Sequence, residues 1–140
     1  MTLKALEKGA FQLYDLKVIV VVPDGTPDVT PSTLLPCNAY LNDSFELRGE
    51  LLFLPPGQGM SIYSIGSVLP LLAAKQRVTQ PNDWMSYDAD VACPDPLCPS
   101  RLRIKRTAIR TFYPDGSQEV EQLQSDVESQ GQGEVVDVRK

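Results

Sequence analysis

Ser61-Ile62-Tyr63-Ser64-Ile65-Gly66-Ser67-Val68-Leu69-Pro70-Leu71-Leu72-Ala73-Ala74-Lys75-Gln76-Arg77 is the one stretch of this chain with strong helical periodicity, and its reading decides the fold class. Ile62, Ile65, Leu69, Leu72 and Ala73 fall at i, i+3, i+7, i+10 and i+11, the spacing that lines one face of a helix with apolar side chains. Pro70 lies inside the pattern, so either the helix kinks there or Ser67 caps a second helix that tolerates proline in its first turn. Lys75 and Arg77 suit the negative end of the helix dipole.

The flanking segments read as strands. Tyr14 to Val22 contains Val18-Ile19-Val20-Val21-Val22, too apolar and β-branched for a half-exposed strand, which predicts a central one. Pro23-Asp24-Gly25-Thr26-Pro27 ends it, and with prolines at 31 and 36 the chain to Pro36 reads as an extended surface loop. Phe45-Glu46-Leu47-Arg48, Gly49-Glu50 and Leu51-Leu52-Phe53-Leu54 suggest a hairpin. Asp90-Val91-Ala92-Cys93 reads as a short strand. From Ser100 to Phe112 Leu102 and Ile104 point inward and Arg101, Arg103 and Lys105 outward, with a slip at Arg106 to Ile109 that suggests a bulge or the strand end. Thr2 can cap a short helix over Leu3 to Lys8, stopped by Gly9. The expected architecture is a single α+β domain over 1–114, a small antiparallel or mixed sheet packed against one main helix at about 61–77. Residues 115–140, rich in Gln, Glu, Ser and Gly, are expected to form an acidic, disordered tail in which Val120, Leu123 and Val127 mark one face of a transient helix, the alternative being a docked helix.

The 140 residues and 42% hydrophobic content suit one core. The whole net charge of −5 sits from Asp115 onward, where Asp115, Glu119, Glu121, Asp126, Glu128, Glu134 and Asp137 face only Arg139 and Lys140. The body is therefore electrically balanced, which argues against nucleic acid as a partner. Its longest apolar runs fall far short of the roughly 20 residues that span a bilayer, and Met1 to Lys17 lacks the apolar core of a secretory signal. A cytoplasmic protein without a membrane partner is expected, and its three cysteines are expected to be free thiols, metal ligands or packing residues.

The chain has no histidine. Ser/His/Asp and Cys/His catalysis within one subunit, histidine-bound catalytic zinc and the two-histidine iron site are thereby excluded. No glycine-rich phosphate loop is present, so nucleotide enzymes and dehydrogenases lack support. Attention falls instead on the proline-bounded loop Cys93-Pro94-Asp95-Pro96-Leu97-Cys98-Pro99, for which three readings stand. Cys37, Cys93 and Cys98 can supply three thiolates to a metal such as zinc, with Asp95 or water as a fourth ligand, although the x4 spacing is looser than the usual x2. Alternatively, a cation from Arg101, Arg103, Lys105 or Arg106 lowers the pKa of Cys93 or Cys98 and makes it reactive. The third reading is two small buried residues in a rigid turn. Nearby, Asp83 beside Trp84 is a candidate general acid, as is Asp95, because a carboxyl near an indole can have a raised pKa. The plainer alternative has Asp83 capping a turn while Trp84 fills the core. Arg103 and Lys105 are candidate anchors for an anionic substrate, or else a solvated, positively guarded edge.

Leu69-Pro70-Leu71-Leu72-Ala73-Ala74-Lys75-Gln76-Arg77, Pro81-Asn82-Asp83-Trp84-Met85 and Val91-Ala92-Cys93-Pro94-Asp95-Pro96, followed by Arg103-Ile104-Lys105-Arg106, resemble the motifs of a family of short conserved hypothetical proteins from bacteria, archaea and fungi. The resemblance covers about residues 14 to 107. It implies a first strand, a Cys-containing segment and an acidic-aromatic strand (here Cys37 to Leu47), a proline-rich turn, a helix, and a Cys-bearing turn into the last strand. It implies no catalytic assignment. This chain has Gly59-Met60-Ser61-Ile62-Tyr63 where many members carry a cysteine.

Two functional expectations follow. One is a cofactor-independent lyase, isomerase or cyclase acting on a small organic acid or natural-product intermediate, with Cys93, Asp95 and Asp83 as catalytic groups and Trp84, Arg103 and Lys105 binding substrate. The other is a non-catalytic binding or accessory module, with a structural metal on Cys37, Cys93 and Cys98, with the tail as a partner-binding segment, or with a site completed by homo-oligomerisation.

Overall fold

The β-branched run lies at the centre of the molecule, in β1 (Phe11–Val21), with Val18 and Val20 almost fully buried. The structure is a computed structural model, and it describes residues 6–123. β2 (Ser44–Arg48) and β3 (Leu51–Phe53) form the expected hairpin on one side of β1. On the other side lies β5 (Arg101–Phe112), whose free edge is shared by β4 (Ala89–Ala92) and β6 (Gln118–Gln122). The sheet has six strands in the order β3-β2-β1-β5-β4, with β6 beside β5, and every pairing is antiparallel. The slip in β5 is a bulge: Asp15 pairs with Ala108 and Leu16 with Arg106, leaving Thr107 without an opposite residue.

α1 (Ile62–Lys75) runs as one helix through Pro70 and packs on β1 and β5. The Ser61 hydroxyl caps it, accepting from the Tyr63 and Ser64 N–H groups at 3.1 and 3.4 Å. Ser67 starts no second helix; its hydroxyl donates back to the Ser64 carbonyl at 2.7 Å. The buried stripe differs from the periodic one. Ser64, Val68, Leu72 and Lys75 face inward with Ile65 and Leu71 beside them, while Ile62 (75% exposed), Leu69 and Ala73 face out. The rotation brings two polar side chains inside, the small Ser64 and Lys75, whose ammonium donates to the Tyr87 carbonyl.

Three more expectations are corrected. Leu6 to Lys8 form no helix, and the rest of that segment lies outside the described residues. Trp84 does not fill the core: it is 54% exposed, and Met85 is buried in its place. The segment after Gly116 does not begin a tail, because β6 returns along β5 and the Leu123 N–H donates to the Thr107 carbonyl at 3.0 Å. Residues 124–140, with Val127, lie outside the described part. Among the described residues no helix is long and apolar enough to cross a membrane.

Candidate metal centre

Two loops meet at the N-terminal end of α1. The first is the β1–β2 connection, folded at Cys37 into a tight turn in which the Leu35 N–H donates to the Ala39 carbonyl (2.9 Å) and the Asn38 N–H to the Leu35 carbonyl (2.8 Å). Asn38 takes the left-handed conformation, φ 64°, that asparagine tolerates better than most residues. Leu35 and Ala39 are buried, and they pin the turn to the core with Cys37 facing the second loop.

That second loop is the β4–β5 hairpin, Cys93 to Ser100. The Cys93 N–H donates to the Ser100 carbonyl at 3.1 Å, closing the hairpin, and the Cys98 N–H to the Asp95 carbonyl at 3.0 Å. Asp95 Oδ1 accepts from the Leu97 N–H at 2.9 Å, and Pro94, Pro96 and Pro99 fix three further φ angles. The loop is thus braced by its own backbone hydrogen bonds and prolines.

The result is a cluster of three thiols. The sulfurs of Cys37, Cys93 and Cys98 all lie within 4.8 Å of one another, and Cys37 Sγ and Cys98 Sγ are 3.6 Å apart. Sulfurs bound to one tetrahedral zinc at about 2.3 Å stand about 3.8 Å apart, so small side-chain rotations suffice to close the set around an ion. No carboxylate joins the cluster among the described residues, so Asp95 is not its fourth member. Behind it sits Ser100, 2% exposed, with its hydroxyl 3.2 Å from Cys98 Sγ and 3.6 Å from Cys37 Sγ. Burial pushes the Cys37 thiol up to about 11, against the Ser100 hydroxyl and with help from neighbouring Cys98. Burial also opposes ionisation of Cys98, but hydrogen bonding with Ser100 and Cys37 outweighs it and holds that thiol below its ordinary value. A hydroxyl therefore takes the role that one reading of the sequence gave to a strand cation.

Cys37 and Cys93 open onto a cleft of about 650 Å³, lined also by Asn38, by Ser61 to Ser64 of the helix start, and by Pro94, Asp95 and Pro96. This lies within the usual range for small-molecule sites. Cys93 and Asp95 are brought together here; Asp83 and Trp84 are not among the lining residues. Asp83 caps a single 3₁₀ turn over Trp84–Ser86, its Oδ1 accepting from the Met85 N–H at 2.9 Å. Arg103 and Lys105 point away from the helix and pair with Asp90 (2.8 Å) and Asp88 (3.2 Å). Neither lines the cleft. Ser100 and Ser64 were not legible as site residues, because an isolated serine carries no spacing signal. No protein-family model, no curated protein and no solved structure matches this chain.

Proposed function

We propose that this chain is a metal–thiolate protein that holds one thiophilic cation, zinc being the first expectation, on Cys37, Cys93 and Cys98. The observation that carries the reading is the convergence of three sulfurs from two separate loops within 4.8 Å, in a chain without histidine. Thiolates select zinc and Cu(I) over hard cations such as magnesium or calcium. Three protein ligands leave the fourth tetrahedral position for water or an exogenous group, and Cys37 and Cys93 direct it toward the cleft. Free thiols of this kind fit a reducing, cytoplasmic setting. Membership in the family of short hypothetical proteins is likewise a proposal, resting on the three motifs quoted above.

Metal analysis of protein purified without chelator, and again after incubation with zinc under reducing conditions, tests the reading. One ion per chain is expected, falling in each single Cys→Ser variant. A stoichiometry near zero in both preparations rejects it.

A second reading, the cofactor-independent lyase, isomerase or cyclase, is favoured by the cleft that Cys93 and Asp95 share. It requires turnover by metal-free protein that is lost in C93A and D95A. Turnover only by metal-loaded protein, or equal turnover in the alanine variants, removes it.

A further inference from the structure

Ser64 sits in the first turn of α1, lines the same cleft as Cys37 and Cys93, and is only 5% exposed. Its N–H is directed at the Ser61 hydroxyl and its carbonyl accepts from Ser67. The Ser64 hydroxyl itself has no partner among the described residues. A buried hydroxyl without a partner costs stability unless something bonds to it, and here it faces a cavity large enough for a small molecule.

Charge narrows what that molecule is. Three thiolates around a divalent ion leave one net negative charge, Asp95 adds another at the cleft wall, and among the described residues no lysine or arginine lines the cleft. A sulfur bound as thiolate adds one more negative charge, so a further anionic group on the ligand is disfavoured. The remaining walls, Pro36, Ile62, Tyr63, Pro94 and Pro96, are largely apolar. A metal already held by thiolates is soft and takes sulfur as its fourth donor in preference to oxygen.

We propose that the cleft binds a small, uncharged organic thiol, whose sulfur completes the metal's coordination and whose second polar group hydrogen-bonds to Ser64. This rests on the metal-site reading above. In the exchange the metal–water bond breaks and a metal–sulfur bond forms, while the thiol proton and the displaced water pass to solvent; no oxidation occurs.

Cobalt-loaded protein tests it, because thiolate-to-cobalt charge-transfer bands report both the metal and its fourth ligand. The probe is 2-mercaptoethanol, with mercaptoacetate as its anionic counterpart and ethylene glycol as its sulfur-free one. The expected result is a saturable change in the bands with 2-mercaptoethanol at millimolar concentration, at least tenfold weaker binding of mercaptoacetate, and none of ethylene glycol. S64A should keep its cobalt and lose roughly fivefold in affinity for 2-mercaptoethanol, the size of one hydrogen bond. Retained cobalt with bands that no thiol moves overturns this inference and leaves the metal site standing. Equal affinity for mercaptoacetate overturns the charge selection, and unchanged affinity in S64A overturns the role of Ser64. Failure to bind cobalt at all rejects the metal site and the thiol site together.

Discussion

Ser100 shows how one atom can tune the proposed centre. Its hydroxyl has a single proton and two sulfur neighbours, and the nearer, Cys98, is the thiol held below its ordinary pKa. Hydrogen bonds to a ligand's sulfur orient it and lower the cost of its negative charge, and removing such a partner typically weakens metal binding about 10- to 100-fold. S100A should therefore keep a stoichiometry of one zinc but lose at least about tenfold in affinity, measured by competition with a chromophoric chelator. Lys75 makes the opposite case at the other end of α1, where a charge is kept at a cost. It is 1% exposed, and burial, with Arg106 nearby, lowers its ammonium from 10.5 to about 8 against the pull of Asp88 and Asp83. The native state thus binds fewer protons here than the unfolded chain between about pH 8 and 10.5, so this group's contribution to stability rises with pH across that window. Its full extent is at most about 3 kcal/mol. Urea melts of wild type and K75M at pH 7 and pH 10 isolate the effect: wild type should gain on K75M as pH rises, and parallel pH profiles would show that Lys75 carries no such penalty.

Among the elements, the C-terminal end of α1 is held by groups from three others. Arg106 of β5 lies over the Tyr14 ring at 4.1 Å and donates to the Lys75 and Arg77 carbonyls (2.8 and 2.7 Å) and to Thr79 Oγ1 (3.1 Å), satisfying carbonyls that a helix end leaves open. R106A should cost about 3 kcal/mol in chemical denaturation, and R106K should recover only part of it because an ammonium lacks the planar fork. Gln76 then ties the helix end to the β2–β3 turn, donating to the Gly49 carbonyl at 2.7 Å, while the Gly49 N–H donates to Asp15 at 2.9 Å. Gly49 has φ 61°, and a Cβ there would meet the Phe112 ring at 3.0 Å and Arg110 at 3.2 Å. G49A should therefore lower stability by about 2 kcal/mol, visible as a reduced denaturation midpoint. These elements also mark what was legible in the sequence. The β-branched run, the Gly49-Glu50 turn and the alternation in β5 each carry a local signal, and each became the element expected. The helix existed as expected, but its facing held only at Ile65 and Leu72, because periodicity counts apolar residues and cannot know that Lys75 will find a carbonyl in Tyr87. Arg106 looked like a break in alternation for the same reason: its reward is a helix end 31 positions away in sequence.

For the whole molecule, the thiol cluster is a junction between distant parts of the chain. Cys37 and Cys98 are 61 residues apart, and between them run β2, β3, α1 and β4. This is why the three cysteines could be named from composition while their meeting could not: it depends on β1 and β5 being neighbours, which puts the loop before β2 beside the hairpin before β5. The two loops are ordered by their own turns and by Leu35, Ala39 and Cys98 in the core, so the fold should form without metal, unlike a zinc finger. An ion binding only the native arrangement should nevertheless stabilise it by about 4 kcal/mol at a free concentration a thousand times its dissociation constant. For a domain of this size that is a rise in Tm of roughly 10 °C or more. Calorimetry of chelator-treated protein should therefore show a cooperative transition that moves upward with added zinc, in wild type but not in C37S or C93S. A chelator-treated protein without a transition would make the metal a condition of folding, and an equal shift in the variants would place zinc elsewhere on the chain. Magnesium should leave the transition unmoved, because a set of three thiolates offers a hard cation no oxygen ligands.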